Sequence, residues 1–522
     1  MPDVVRSDRW IALMLMACSL AVLAMLLVLG VRLTDEDGYY YLKIAQQVAL
    51  GHGSTFDGVH VTNGYHPLWL LCLVPIFWLT STPEAALLLS TIVQGMLAAA
   101  TVGVLYATAR LAYRQLAAIV ASLLWILLTY QISLSGLEYS VHALCLLATA
   151  YVYLRWFCMR TRPRQRIYLV LGLLLSLTFL ARIETIGLAG LIGLFLLGRA
   201  FRRGYDLVEV SSLLAFGAPL MLTVLGYIGY NLWLVGHPLP VSGALKRAWS
   251  IELLAHDPRY LAGGWLAAKV AQLADPITHF YGIYVISIGV GTVGAALFGQ
   301  PIWRPFVLYS LLQFAAYICL YDSSFSFAQW YYVVQHFLTV LLLASLVDWV
   351  VGYPRFGLRR GSEIARSRYL GMLLAGVAIG GGALSIAWSV GQWSLRERTG
   401  VYQYPLIDAA RWARANLPPD AIVGVWNAGT IGYLAQRRVI NLDGLVNSWT
   451  YFQAERFDLC TYWRKNQVTY LLDAFEQRQA LSVVPTYATY ASCADQLELI
   501  WSDQRQGTTW RMEAYHIRPA GP

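Results

Sequence analysis

Thr34-Asp35-Glu36-Asp37-Gly38-Tyr39-Tyr40-Tyr41 stands just past an apolar run, Ile11 to Val31, that is long enough to cross a bilayer. Three consecutive acids at a membrane surface repel anionic lipid. Capping the next helix through its dipole stabilises by only about 1 kcal/mol, which does not account for three of them. The stretch therefore asks for a chemical explanation. It also fixes the frame for the rest of the chain: membrane-spanning helices with polar loops that carry the chemistry. A second polar segment follows at short range, Thr62-Asn63-Gly64-Tyr65-His66-Pro67-Leu68-Trp69.

Composition agrees with that frame. Of 522 residues, 58% are hydrophobic and 13% charged, and the mean hydropathy is +0.53. A soluble chain of this length needs far more charge to cover its surface, so the fold class is a polytopic α-helical membrane protein. The formal charge of +9 is explained by its placement rather than by nucleic acid. Arg155, Arg160, Arg162, Arg164 and Arg166 form one cluster, Arg199, Arg202 and Arg203 a second, and Arg355, Arg359, Arg360, Arg366 and Arg368 a third. Basic clusters between apolar runs mark cytoplasmic loops.

Candidate spans fall at 11–31, 85–109, 116–137, 139–154, 167–181, 185–198, 210–235, 280–299, 305–321, 329–347 and 369–393, about 11 transmembrane helices. The first run is longer than the core of a signal peptide and is read as an uncleaved anchor. The run at 67–80 is too short to be comfortable as a span. With the N-terminus inside, the acidic loop lies outside and the Arg155–Arg166 loop inside, which requires an odd number of crossings between them. The segments at 85–109, 116–137 and 139–154 supply these, so 67–80 is expected as a juxtamembrane helix. The same parity places the region after 393 outside.

Two neighbouring spans are short. Ile167–Ala181 reaches only about 22 Å at 1.5 Å per residue, less than a hydrocarbon core of roughly 30 Å, and 185–198 is shorter still. Arg182 and Glu184 between them, and Glu138 beside another short run, are then expected below the outer surface. Ionisable groups at that depth are usually paired and often functional. The second large outer segment, 236–279, opens Gly236-His237-Pro238-Leu239-Pro240-Val241-Ser242-Gly243-Ala244-Leu245-Lys246-Arg247. Its glycines and prolines oppose a regular helix at the start and bring Lys246 and Arg247 near the membrane, where a cationic pair suits phosphate or a lipid headgroup.

The module 1–393 thus carries two large outer loops, 32–83 and 236–279, and the composition then turns to that of a soluble domain, 394–522. Pro405–Ala413 reads as an amphipathic helix, Ala421–Trp426 as a strand followed by a helix through Ile431–Leu434, and Val439–Leu442 and Val468–Leu472 as further strands. Alternation of this kind predicts a small extracytoplasmic α/β domain. Gly424, Gly429 and Gly432 lack the spacing of a dinucleotide fingerprint. Cys18, Cys72, Cys145, Cys158 and Cys319 lie in or beside apolar runs and are expected to pack as small hydrophobes. Cys460 and Cys493 lie in the polar region, where a disulfide is open to them if that region is extracytoplasmic.

Glu36-Asp37-Gly38-Tyr39-Tyr40-Tyr41-Leu42-Lys43-Ile44-Ala45, then Gly51-His52-Gly53-Ser54-Thr55-Phe56-Asp57-Gly58, then Thr62 to Trp69 resemble the C-type (GT-C) glycosyltransferase superfamily. That group includes protein O-mannosyltransferases, lipid A aminoarabinose transferases and mycobacterial arabinofuranosyltransferases. Ser135-Gly136-Leu137-Glu138, Arg182-Ile183-Glu184 and Gly236–Pro240 through Lys246 resemble later motifs in the same order. The likeness covers residues 9–250 by motif and the rest by hydropathy. Two departures stand out: Glu36-Asp37, preceded by Asp35, replaces a usual Asp-Asp doublet, and Ile183 replaces a common proline.

The resemblance implies an integral protein of the bacterial plasma membrane with an outer-facing site, a polyprenyl-phosphate sugar donor, and inversion at the anomeric carbon. Asp35, Glu36 and Asp37 are the candidates for the catalytic base, with the choice among them open. A carboxylate there can take the proton of an acceptor hydroxyl as it attacks, while Lys246, Arg247 and Arg182 meet the charge growing on the leaving phosphate. Glu184 and Glu138 join the substrate-binding set, and Tyr39, Asn63, Tyr65 and His66 are expected to shape the sugar or acceptor pocket. No cofactor is required. Asp35-Glu36-Asp37 also fits the Asp-x-Asp pattern of nucleotide-sugar transferases, which hold a divalent cation, but no nucleotide-binding domain precedes it. Two other classes are weighed: a lipid-linked sugar flippase or transporter, and a non-catalytic glycan-assembly subunit. The acceptor, whether glycan, lipid or protein, is not read from these residues. Asn441-Leu442-Asp443-Gly444-Leu445-Val446-Asn447, on an expected loop, is a candidate for selecting it.

Overall fold

The computed structural model describes residues 2–29, 34–159, 163–202, 204, 206–256, 258–274, 280–298, 301–321, 328–352, 403–474, 493–503 and 511–518. The helices are α1 (Pro2–Val28), α2 (Glu36–Ala49), α3 (Pro67–Leu79), α4 (Pro83–Ala112), α5 (Gln115–Ser133), α6 (Tyr139–Val152, continued as a π-helix over Tyr153–Cys158), α7 (Gln165–Ala181), α8 (Ile186–Phe201), α9 (Leu207–Val235), α10 (Val241–His256), α11 (Pro258–Ala274), α12 (Phe280–Phe298), α13 (Arg304–Leu320) and α14 (Val333–Gly352). A strand-containing segment follows: α15 (Gln403–Asn416), β1 (Ile422–Val425), α16 (Ala428–Leu434), β2 (Arg438–Asn441), α17 (Trp449–Gln453), α18 (Leu459–Lys465), β3 (Tyr470–Ala474), β4 (Leu497–Ser502) and β5 (Met512–Ile517). The expected span at 369–393, the third arginine cluster, and Arg160, Arg162 and Arg203 lie outside the described residues.

Six stretches of described helix are long and apolar enough to cross a membrane: Ser7–Val28, Pro83–Ala112, Gln115–Ser133, Tyr139–Cys158, Ile183–Phe201 and Leu207–Val235. Their outer faces carry large apolar side chains, among them Met14 and Met25 on α1, Leu123 and Leu127 on α5, and Leu214, Met221, Leu222 and Leu225 on α9, all exposed. Such faces suit lipid and not water. The chain is an integral membrane protein. The expected helices at 67–80, 167–181, 305–321 and 329–347 form as shorter apolar helices. Pro67 starts α3 at a position where its missing N–H is no loss, and Leu71, Trp78 and Leu79 are exposed on it.

The chain divides into two compact units. One takes the described residues within 1–33, 91–226 and 269–388. Its core is built on α5, α6 and α14, from Ala117, Ala118, Ala121, Trp125, Leu146, Leu147, Phe337, Leu338 and Leu341. Small residues let these helices approach closely. A Cβ at Gly291 of α12 would lie 2.2 Å from Oγ1 of Thr339 on α14, and one at Gly172 of α7 2.2 Å from the carbonyl oxygen of Phe216 on α9.

The second unit gathers 34–90, 227–268 and the described part of 389–522. The two polar segments read as outer loops therefore fold into one body with the C-terminal segment. Its sheet has the order β2-β1-β3-β5-β4, with β1 parallel to β2 and β3 and β5 antiparallel to β3 and β4. The parallel half arises because α16 and α18 return the chain between strands, since parallel strands need a crossover connection. Trp426, Ile440, Leu442, Tyr451, Trp463 and Leu471 fill the core, beside a Cys460–Cys493 disulfide with Cα atoms 5.9 Å apart.

Candidate functional site

The acids after the first span divide into three environments. Asp35 has extended backbone and caps α2, accepting the N–H of the first helical residue, Glu36, at 2.6 Å, where an N-cap side chain more often takes the second or third N–H. Glu36 is buried, 4% exposed. Its carboxylate accepts the backbone N–H of Thr430 at 3.0 Å and the Thr430 hydroxyl. Asp37, on the next position of the helix, keeps 30% of its side chain exposed and faces Lys246 Nζ at 3.9 Å, an ion pair too long for a direct hydrogen bond.

Burial is the largest influence on Glu36. It pushes the carboxyl to about 8 against the opposing Thr430 bonds, and the charges of Asp35 and Asp37 add to the rise. At neutral pH the Glu36 proton is retained. Glycine makes this seat: a Cβ at Gly429 would stand 2.2 Å from the Glu36 carbonyl oxygen, and one at Gly432 2.4 Å from the Phe56 ring. Two of the three glycines that miss a nucleotide fingerprint, Gly429 and Gly432, thus let α16 lie against α2 and the 51–66 segment.

Lys246 and Arg247 lie on α10, which starts at Val241 immediately after the proline-containing turn. Lys246 is mostly covered and Arg247, one position on, is exposed. The turn is pinned by Asn63, whose side-chain carbonyl accepts from the Val241 N–H at 3.0 Å and from Trp449 Nε1 at 3.1 Å. Its amide donates to Asn231 Oδ1 and to the Leu239 carbonyl, each at 3.0 Å. All four hydrogen-bonding positions of Asn63 are in use. Tyr65 is buried, with its hydroxyl 2.7 Å from Ser54 Oγ and 3.2 Å from the Tyr230 hydroxyl. Tyr39 packs on Tyr433, and the His66 N–H donates to the Tyr41 hydroxyl. These four residues build the walls that hold α2, α10 and the C-terminal segment together.

Sequence reasoning placed one further acid of this unit only within a candidate acceptor-selecting loop, with no role of its own. Asp443 is 2% exposed and accepts the Tyr40 hydroxyl at 2.7 Å and the Leu445 N–H at 2.6 Å. Burial raises its carboxyl to about 7, opposed by those bonds and assisted by the charge of Asp37. Its turn is held by Asn441 Oδ1, which accepts the Gly444 N–H at 2.9 Å, and by Asn447, which donates to the Asn441 carbonyl at 2.6 Å. Gly444 has φ +90°, the left-handed region that favours glycine. The signal in the sequence was the density of turn formers in Asn441-Leu442-Asp443-Gly444.

Glu138, Arg182 and Glu184 belong to the helical unit, and the structure brings these three together. Arg182 is 2% exposed. It pairs with Glu138 and Glu184, donates to the Tyr317 hydroxyl at 3.3 Å and lies over the Tyr331 ring at 4.7 Å. The expected pairing of these three ionisable groups forms. Among the described residues, no group of three or more His, Cys, Asp or Glu side chains is arranged to hold a metal ion.

A family model described as "Domain of unknown function (DUF8728)" matches residues 393–516. No curated protein matches the chain in sequence. Among solved structures, ArnT from Cupriavidus metallidurans bound to undecaprenyl phosphate is similar at 12% identity, over 97% of this chain and 99% of that one, with a TM-score of 0.51. The archaeal oligosaccharyltransferase AglB from Archaeoglobus fulgidus, in complex with an inhibitory peptide and a dolichol-phosphate, is similar at 14% identity over 96% of this chain and 74% of that one, with a TM-score of 0.50. The oligosaccharyltransferase of the same organism in complex with Zn and sulfate gives 15% identity, 94% and 70% coverage and a TM-score of 0.50. At these identities the likeness is one of fold: the chain shares the fold of ArnT and AglB.

Proposed function

We propose that this chain is an inverting glycosyltransferase that moves a sugar from a polyprenyl-phosphate donor to an acceptor hydroxyl, with Asp37 as general base and Lys246 as the cation for the leaving phosphate. The observation that carries this reading is the Asp37–Lys246 pair, two partly exposed opposite charges 3.9 Å apart at the start of α2. The shared fold supports it, because one neighbour holds undecaprenyl phosphate and the other a dolichol-phosphate.

The step balances simply. The acceptor oxygen attacks the anomeric carbon from the face opposite the phosphate, its proton passes to Asp37, and the carbon–oxygen bond to the polyprenyl phosphate breaks with its electrons on the phosphate. A carboxylate with some exposure is suited to receive that proton. Lys246, with Arg247 beside it, meets the growing negative charge. Asp35 is assigned to capping and Glu36, protonated and bound to Thr430, to docking α2. Arg182, held by Glu138 and Glu184, is assigned to joining α7 and α8.

The Cys460–Cys493 disulfide supports an extracytoplasmic second unit, because such bonds persist in oxidising compartments. That side agrees with the parity reading of about eleven crossings and with a bacterial plasma membrane. The acceptor is assigned only as a hydroxyl. The test is transfer in reconstituted membranes from polyprenyl-phosphate sugars that co-purify with the protein: Lys246→Ala is expected to lower it by roughly 10²-fold, and unchanged transfer in that variant would remove the phosphate assignment.

A further inference from the structure

The segment matched only as a domain of unknown function contributes a charged residue to the proposed site. Three elements distant in sequence meet there. Tyr40, one helical turn beyond Asp37 on α2, donates its hydroxyl to Asp443 at 2.7 Å. The same oxygen accepts the N–H of Ala428 at 3.3 Å and the amide of Asn441 at 3.3 Å. On the other side α10 closes in: a Cβ at Gly444 would lie 3.3 Å from Leu245 Cδ2, and Lys246, the next residue, faces Asp37. A Cβ at Gly64 would lie 2.1 Å from the Leu445 carbonyl oxygen, so the first polar segment also presses on the 441–447 turn. All of these residues belong to one compact unit.

We propose that Asp443 is a positioning residue of the C-terminal segment, which holds the start of α2 through Tyr40 and whose ionisation sets the charge balance, and hence the donor affinity, of the Asp37–Lys246 pair. The inference rests on the reading of Lys246 as the phosphate-binding cation.

Both carboxyl oxygens of Asp443 act as acceptors, Oδ2 for the Tyr40 hydroxyl and Oδ1 for the Leu445 N–H; asparagine, with a single oxygen, could keep only one of these bonds. Among the described residues, Tyr40 and Asp37 of α2 act on Asp443, Glu36 acts with them on Tyr40, and Lys246 of α10 faces Asp37. Glu36 is protonated near neutrality. With Asp443 protonated as well, the pair carries one negative and one positive charge. Loss of the Asp443 proton leaves a net negative cluster, which opposes an incoming phosphate and makes Asp37 a stronger proton acceptor. The Asp443 carboxyl lies at about 7, so the change falls where a cell surface operates.

The experiment is equilibrium binding of undecaprenyl phosphate to the full-length protein in nanodiscs between pH 5.5 and 8.5, comparing wild type, Asp443→Asn, Tyr40→Phe and Lys246→Ala. The ratio of wild-type to D443N affinity cancels the lipid's own titration. That ratio is expected to be flat at low pH and to fall about threefold to tenfold as pH rises through 7, the scale of a neighbouring-charge effect. In Y40F the carboxylate loses a bond that favours its charged form, so the weakening moves to higher pH; this arm decides the matter if D443N does not fold. A ratio independent of pH, or a Y40F transition unmoved from wild type, overturns the role of Asp443. Binding unchanged in K246A instead overturns the reading of Lys246, and the two failures are told apart by which variant is silent.

Discussion

Glu36 and Asp37 are adjacent and chemically alike, yet the fold sends them to opposite tasks. Glu36 is sealed against Thr430 and Asp37 faces a lysine with part of its surface open. The raised carboxyl of Glu36, about 8 against 4.5, has a stability consequence with a definite sign. The folded state binds the proton more tightly than the unfolded chain, so this contribution is whole below about 4.5 and is lost as pH rises through about 8. Glu36→Gln retains an acceptor for the Thr430 N–H and removes the ionisation. We expect its melting temperature in detergent to fall less than that of wild type between pH 5 and 9, and parallel curves would contradict the assignment. The acid cluster was legible in the sequence as a candidate site because helix capping alone does not account for three adjacent carboxylates; in the fold Asp35 caps α2 and Glu36 docks on Thr430. Which acid does what was not, because the deciding partner, Thr430, lies 394 residues away.

At the scale of elements, α2 is held by contacts that leave little room. Gly429 brings α16 against the Glu36 backbone, and Gly429→Ala is expected to destabilise the second unit by roughly 1–3 kcal/mol through overpacking, read as a lowered melting temperature. The 51–66 segment has its own tether. Asp57 accepts from the His60 ring at 2.8 Å and from Arg438 at 3.1 Å, while the other ring nitrogen of His60 faces Asn466 Oδ1 at 2.9 Å. Asn466 is oriented by its amide, which donates to the Tyr462 carbonyl, so both ring nitrogens meet acceptors and the imidazolium is the species that fits. Burial lowers His60, but the bond to Asp57 and its charge win and raise it above 6.5. Burial likewise raises Asp57, but the His60 contacts win and hold it at about 2. The His60 contribution is therefore full below pH 6.5 and lost above its raised value, and that of Asp57 is lost as pH falls through about 2. Amide protection in 51–66, taken relative to the intrinsic base-catalysed rate, should fall on the alkaline side in wild type and be low throughout in Asp57→Ala; protection independent of pH would exclude the imidazolium tether. The strands at 422–425, 438–441 and 470–474 were readable from their apolar runs. β4 and β5 were not, because β4 is largely exposed and lacks a buried face to pattern its sequence.

For the whole molecule, hydropathy located the six described helices long and apolar enough to cross a membrane, since a membrane-spanning segment leaves a strong apolar signal. It could not reveal that 34–90 and 227–268 fold as one unit with the C-terminal segment. That arrangement rests on hydrogen bonds such as those of Asn63, which have no periodicity. The central claim, that Asp37 accepts the proton during transfer, is tested most directly by following sugar transfer from co-purified polyprenyl-phosphate donors in proteoliposomes for Asp35→Asn, Glu36→Gln and Asp37→Asn. Asp37→Asn is predicted to lose roughly 10²- to 10⁴-fold in rate, with the other two far less affected; transfer by Asp37→Asn at the wild-type rate would contradict the account.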